Sequence, residues 1–365
     1  MSEKDFIHGG DIYTEGLLKG RALIDFSSNI NPKGVPESFK KHINEGFQMI
    51  ERYPDIKYRS LKKDLIYYNE KYFNLKLRSE DIVLGNGASE IIDMVLSYLK
   101  TVVLPVPSFS EYGLSIEKWG GNVIYSKLNE DMDYDYLDIL EKLKEADGLV
   151  IGNPNNPNGG VIEEEKFISI LDYCENNGKI VVIDEAFIEM NGYDGSLITL
   201  IENYKSLFII RALTKFFGVP GIRMGYGITR NKKVLKYIIE RQNPWNINSF
   251  AELCTHYVLY DEEYIKDSIK WVEEEREYFT GELSKIPIID KVYKTRANYC
   301  LCKLKDMKDE ELYNYCLDKG VLIRRASNFK GLDNKYVRFA IKSRELNNIL
   351  LNILKDIPNK KVLEK

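Results

Sequence analysis

Between residues 81 and 229 short apolar runs alternate with amphipathic stretches, and this alternation limits the possible folds more than any other feature of the chain. The runs are Val102-Val103-Leu104, Asn122-Val123-Ile124-Tyr125, Leu149-Val150-Ile151, Ile180-Val181-Val182-Ile183, Leu207-Phe208-Ile209-Ile210 and Tyr226-Gly227-Ile228. Segments between them, such as 136–144 and 163–175, place apolar residues at helical spacing. Apolar strands joined by helices form a mostly parallel sheet covered on both faces. The expected class is therefore α/β, with a three-layer αβα large domain. Ligands of such folds gather beyond the carboxyl ends of the strands.

Outside this region the pattern changes. A helix is expected after the loop Glu51-Arg52-Tyr53-Pro54, with Leu61, Leu65, Ile66, Tyr72 and Phe73 close to a 3.6-residue period. Residues 249–285 read as one long helical stretch. A βαββα order follows: 298–304, a helix over 309–318, 321–323, 337–341 and a last helix from Arg344. This predicts a smaller α+β domain. The chain of 365 residues is long enough for roughly two domains. They are placed as an N-terminal arm and part of the small domain at 1–45, a large cofactor-binding domain at 46–255, and a small C-terminal domain at 256–365. The last residues, 359–365, are expected to fray.

Composition narrows the function classes. Charged residues make up 30% of the chain, yet the net charge is −4, so no basic field for nucleic acid is implied. No apolar run is long enough to span a bilayer. The charged start Met1-Ser2-Glu3-Lys4-Asp5 leads into no signal-like apolar core. Five cysteines without a Cys-x-x-Cys pair point to reduced thiols and a cytoplasmic protein. Cys300 and Cys302 alternate along an expected strand and share a face. Three histidines, His8, His42 and His256, lie too far apart in sequence to favour a metal site or a histidine triad.

Chemistry collects where the strands end. Leu84-Gly85-Asn86-Gly87-Ala88-Ser89-Glu90 opens a helix, with Ser89 expected as its N-cap, and free N–H groups there attract a phosphate. The spacing is neither G-x-G-x-x-G nor a P-loop. Phe109 can stack on a flat ring or sit in the core. Asn153-Pro154-Asn155-Asn156-Pro157-Asn158-Gly159-Gly160 offers amides. Asp184-Glu185-Ala186-Phe187 sets two acids at the end of a buried strand, which is costly without a positive partner. Thr214-Lys215 and Arg223 follow the next strand, and a desolvated lysine amine forms a Schiff base with an aldehyde. Each piece alone has an ordinary structural reading. Together an anion cradle, a stacking ring, an amide, an acid and an amine fit pyridoxal 5′-phosphate (PLP).

This arrangement, from His8 to about Leu354, resembles the fold-type-I, class I/II aminotransferase superfamily of PLP enzymes. The resemblance implies that Lys215 carries the cofactor's aldehyde carbon, Asp184 meets the pyridine nitrogen and Asn156 donates to the ring O3′. Phe109 is implied as the stacking ring, and Ala88, Ser89, Thr214 and Arg223 as phosphate contacts. Tyr53 is implied to reach the neighbouring subunit's phosphate, so a homodimer is expected. Arg338 is implied to bind the substrate α-carboxylate through its bidentate fork.

Two branches are nearest: histidinol-phosphate aminotransferase and, nearer, the L-threonine-O-3-phosphate decarboxylase of cobalamin synthesis. The second is similar in His8-Gly9-Gly10, Asp25-Phe26-Ser27-Ser28-Asn29-Ile30-Asn31-Pro32, Asn243-Pro244-Trp245-Asn246-Ile247-Asn248 and Ser327-Asn328-Phe329-Lys330-Gly331-Leu332-Asp333. Both act on phosphate monoesters, which implies a phosphate site at Arg324, with His8 and Asn31 as further contacts. Three positions depart from the pattern. Phe187 replaces a tyrosine of many aminotransferases, Ala212 replaces a hydroxyl residue, and Arg325 stands where the decarboxylase branch carries an acid. The expected activity is decarboxylation of a small phosphorylated amino acid. The alternatives are transamination of the histidinol-phosphate type and, remotely, a PLP-binding protein without activity.

Overall fold

The computed structural model describes residues 8–357; the N-terminal pentapeptide and the tail at 359–365 lie outside them. A short strand, β1 (Ile24–Asp25), comes first. Seven strands of one sheet follow: β2 (Ile82–Asn86), β3 (Thr101–Val106), β4 (Asn122–Lys127), β5 (Gly148–Gly152), β6 (Ile180–Asp184), β7 (Leu207–Ala212) and β8 (Met224–Thr229). Their order is β2-β8-β7-β6-β5-β3-β4. Only β8 runs against its neighbours, pairing antiparallel with both β2 and β7. The other pairs are parallel.

The period of two in these strands builds both faces of the sheet. Val181 and Ile183 of β6, with Leu207 and Ile209 of β7, join a core under the helices Arg59–Phe73 and Glu164–Asn176. Val182, Phe208 and Ile210 join the opposite core, beneath Ala88–Leu96, Ser110–Lys118 and Lys232–Ile239. The helix Glu164–Asn176 buries Phe167, Ile170, Leu171 and Cys174, one stripe at helical spacing, and carries Glu164 and Glu165 in its first turn. The sheet is thus the middle of three layers, as its alternation requires.

A second sheet forms later in the chain. It uses β9 (Ile289–Val292), β10 (Tyr299–Leu304), β12 (Arg324–Arg325) and β13 (Tyr336–Ala340) in the antiparallel order β12-β13-β10-β9. The intervening β11 (Val321–Leu322) pairs with β1, which ties the N-terminal segment to this part of the molecule. Cys300 and Cys302 share its core, and all five cysteines are buried and free.

Two details differ from the expectation. The 249–285 stretch is two helices, Ser249–Val258 and Glu262–Leu283, with Asp261 capping the second through the Tyr264 N–H. That second helix also serves both cores: Ile265 and Val272 pack in the large one, Phe279 and Leu283 in the small one. The change of core therefore falls inside a helix rather than at residue 255. No helix among the described residues is long and apolar enough to cross a membrane.

Candidate active site

The chain turns back on itself between β3 and β5, which are neighbours although β4 lies between them in sequence. Such a switch point opens a crevice at the strand carboxyl ends. A cavity of about 280 Å³ lies there.

Its floor comes from the large sheet. At the end of β2 the helix Ala88–Leu96 is capped by Gly87, not by Ser89 as expected. Gly87 has φ +78°, and a Cβ on it would stand 2.2 Å from Nη2 of Arg223. The missing side chain lets the guanidinium lie against the helix start, where Nη2 donates to Ser89 Oγ at 3.2 Å. Ala88, Ser89, Thr214 and Arg223 all line this end of the cavity. A helix N-terminus facing an arginine is an anion cradle.

Beyond β3, Phe109 meets the edge of Tyr112 at 5.6 Å and 86°. Beyond β5, Asn155 donates to Pro107 O and Asn158 to Met132 O, both at 2.9 Å, which pins the loop. Asn156 is left facing the cavity, where its Oδ1 accepts from Nη1 of Arg338. The two acids after β6 part company. Glu185 turns away into a fully buried pair with Arg211 at 3.1 Å. Asp184 turns inward, its Oδ2 accepting from the Tyr112 hydroxyl at 2.7 Å and its Oδ1 from the Ala186 N–H at 2.9 Å. Burial raises its pKa, opposed by those two bonds. Lys215 follows β7. Burial lowers its pKa to about 8, with the Arg338, Arg223 and Lys342 charges adding to the effect.

The wall opposite comes from the small sheet. Arg324 and Arg338 are register partners on β12 and β13. Arg324 donates to Asn328 Oδ1 at 2.9 Å and lies over the Phe329 ring at 5.1 Å. Arg338 donates to Ser27 O at 2.6 Å. Nη1 of Arg324 and Nε of Arg338 are buried without a hydrogen-bond partner among the described residues. Burial pushes the Arg324 pKa down to about 9, and the nearby Arg338 and Arg325 charges push the same way; burial takes Arg338 to about 10. Among the described residues lining the cavity Asp184 is the only carboxylate, against Lys215, Arg223, Arg324 and Arg338. The site therefore wants anions.

Other expected contacts fall differently. His8 lines the cavity, 2.9 Å from Glu111. Arg325 points the other way along the strand, toward Asp309 at 3.3 Å and Glu310 at 3.6 Å. Asn31 is not a lining residue: its amide is spent on Phe216 O and Ser268 Oγ, both at 2.8 Å, so it braces the fold instead of meeting a substrate. Tyr53 is 77% exposed, tilted against Trp245 at 4.8 Å, and does not line this chain's own cavity. Sequence reasoning missed Tyr112 and Lys342. The first stands one helical turn after Phe109, which was the available signal. The second is a buried lysine donating to Ser28 O at 2.9 Å.

The family model for aminotransferase class I and II matches residues 21–354. The chain belongs to that family. It is 40% identical to a protein of Caldanaerobacter subterraneus subsp. tengcongensis provisionally named threonine-phosphate decarboxylase, over 97% of this chain and 94% of the relative. It is 32% identical to the threonine-phosphate decarboxylase of Salmonella typhimurium, covering 96% of each. The crystal structure of histidinol-phosphate aminotransferase from Clostridium acetobutylicum superposes with a TM-score of 0.88 at 48% identity, covering 92% of this chain and 99% of that one.

PLP fits this family member's donor set on structural grounds. Its phosphate would meet the Arg223 cradle, its ring the Phe109 face, and its pyridine nitrogen the buried Asp184 carboxylate. Lys215, with its lowered pKa, would offer more of the neutral amine to the aldehyde than an ordinary lysine does.

Proposed function

We propose that the chain is a PLP-dependent decarboxylase of a small phosphorylated amino acid, with O-phospho-L-threonine as substrate and aminopropanol phosphate and CO₂ as products. One observation carries the choice of substrate: Arg324 and Arg338, side by side and buried, each keep an unpartnered nitrogen. Two guanidinium groups in that position are matched by a molecule with two anions. O-phosphothreonine has a carboxylate and a phosphate; histidinol phosphate has only the phosphate, although the 2-oxoglutarate of a transaminase also carries two anions. The near relatives named threonine-phosphate decarboxylase support the same reading.

When bound, PLP supplies an electron sink for the pair left on Cα. Asp184 would hold the charge at the ring nitrogen, and the Asn156 amide would donate at the ring oxygen. Arg338 and Arg324 orient the substrate's two anions. Arg338 and Arg324 would hold the Cα–carboxylate bond in the orientation that the bound cofactor activates, so that CO₂ would depart and leave its bonding pair at Cα. Lys215, in its ammonium form, would then deliver a proton to Cα and be left as the neutral amine. Positioning alone selects this bond over Cα–H. Phe187 brings no hydroxyl to this end of the cavity, which supports decarboxylation over transfer.

The proposal includes a cytoplasmic homodimer in which Tyr53 serves the partner's phosphate cradle. Its exposed position beside Trp245, with Phe47, Ile50 and Ile56 also exposed, supports this. The identity to a structure named histidinol-phosphate aminotransferase favours a second reading. One pair of assays separates the two. With O-phosphothreonine, CO₂ release is expected; with histidinol phosphate and 2-oxoglutarate, no glutamate is expected. Glutamate without CO₂ would overturn the assignment.

A further inference from the structure

Tyr112 is 3% exposed and its one hydroxyl donor is spent on Asp184 Oδ2 at 2.7 Å. A phenol buried that deeply must use its donor, and backbone carbonyls are the commonest acceptors. Here it uses a carboxylate instead. The two residues come from different strand ends, Tyr112 from the helix after β3 and Asp184 from the end of β6, with β5 between them. The same tyrosine presents its ring to the edge-on contact with Phe109. One side chain therefore fixes both the face of the crevice and the acid beneath it. With Ala186 N–H on Oδ1, the carboxylate is gripped at both oxygens and its plane cannot turn.

We propose that Tyr112 is a positioning residue: its hydroxyl holds the Asp184 carboxylate ionised and aimed at the cofactor's ring nitrogen, while its ring sets Phe109 against the cofactor face. This rests on the reading of the cavity as a PLP site.

The test uses the full chain and PLP itself. Wild-type protein is titrated with PLP and followed by visible absorbance; absence of a chromophore there would sink the cofactor reading, whatever Tyr112 does. With that chromophore in hand, Tyr112→Phe keeps the ring and removes the hydroxyl. Its PLP Kd is expected to weaken roughly 10-fold, the scale of one charge-assisted bond. The visible bands of bound PLP should change in ratio, and kcat should fall while KM stays within about 2-fold. In an Asp184→Ala background the same change should alter Kd by less than about 2-fold, because the hydroxyl's acceptor is gone. Wild-type Kd and bands in Tyr112→Phe would overturn the proposal. So would an equal loss in both backgrounds, which is how a mere packing or folding defect behaves.

Discussion

The floor and the wall of the cavity are built in opposite ways. On the floor, charges are already answered: Asp184 has Tyr112 and Ala186, and Arg223 has Ser89 and the carbonyl of Pro220. Asp184 leaves a strand held on both sides by its neighbours. On the wall, two arginines face the same space, and one of them rides on a strand of only two residues. The floor is preorganised for a ligand that stays. The wall stores repulsion that an incoming dianion relieves, so binding energy there is available to orient the substrate.

Substitutions can break this contrast. Lys215→Ala should remove the visible chromophore and lower kcat by about 10³-fold or more, the scale of a lost proton-transfer group; retained CO₂ release would separate the amine from the chemistry. Arg324→Gln should lower kcat/KM for O-phosphothreonine by roughly 10²-fold, as expected for lost charge-assisted bonds. Its PLP Kd should stay within about 2-fold; equal loss of cofactor and substrate would mean that floor and wall are not separable. Capture of PLP by the apoprotein sharpens the contrast further. The neutral amine is the nucleophile, and the Lys215 pKa lies near 8. The capture rate should therefore rise about 10-fold from pH 7 to 9 and level off, by simple titration. A lysine at its ordinary value would still be climbing. The smallest effect on catalysis belongs to Arg325→Ala, which points away from the cavity and should change kcat/KM by less than about 2-fold, although it leaves the buried Asp309 without its cation.

The floor was legible because each residue stands where an apolar run stops, next to Gly, Pro or Asn punctuation. Lys215, Asp184, Asn156 and Phe109 all converge on one cavity as the alternation of runs demanded. β2 was not read as a strand, because Gly85 and Asn86 interrupt Ile82-Val83-Leu84. Ser89 looked like a cap, but the left-handed turn at Gly87 takes that place one step earlier. The wall was harder. Strand alternation sends Arg324 and Arg325 to opposite faces, but only the pairing of Arg324 with Arg338 tells which face is inward. Asn31 misled because its partners, Phe216 and Ser268, are 185 and 237 residues away. Tyr112 drew no reading at all, because its partner Asp184 is 72 residues away.

The helix Glu262–Leu283 has one end sunk among the side chains of each core. At 22 residues it is a splint about 33 Å long. Drawing the arginines away from the lysine would mean snapping that splint or pulling an end from its socket. One continuous helix thus braces the span between the arginines and the lysine, across which a substrate's two anions would have to reach.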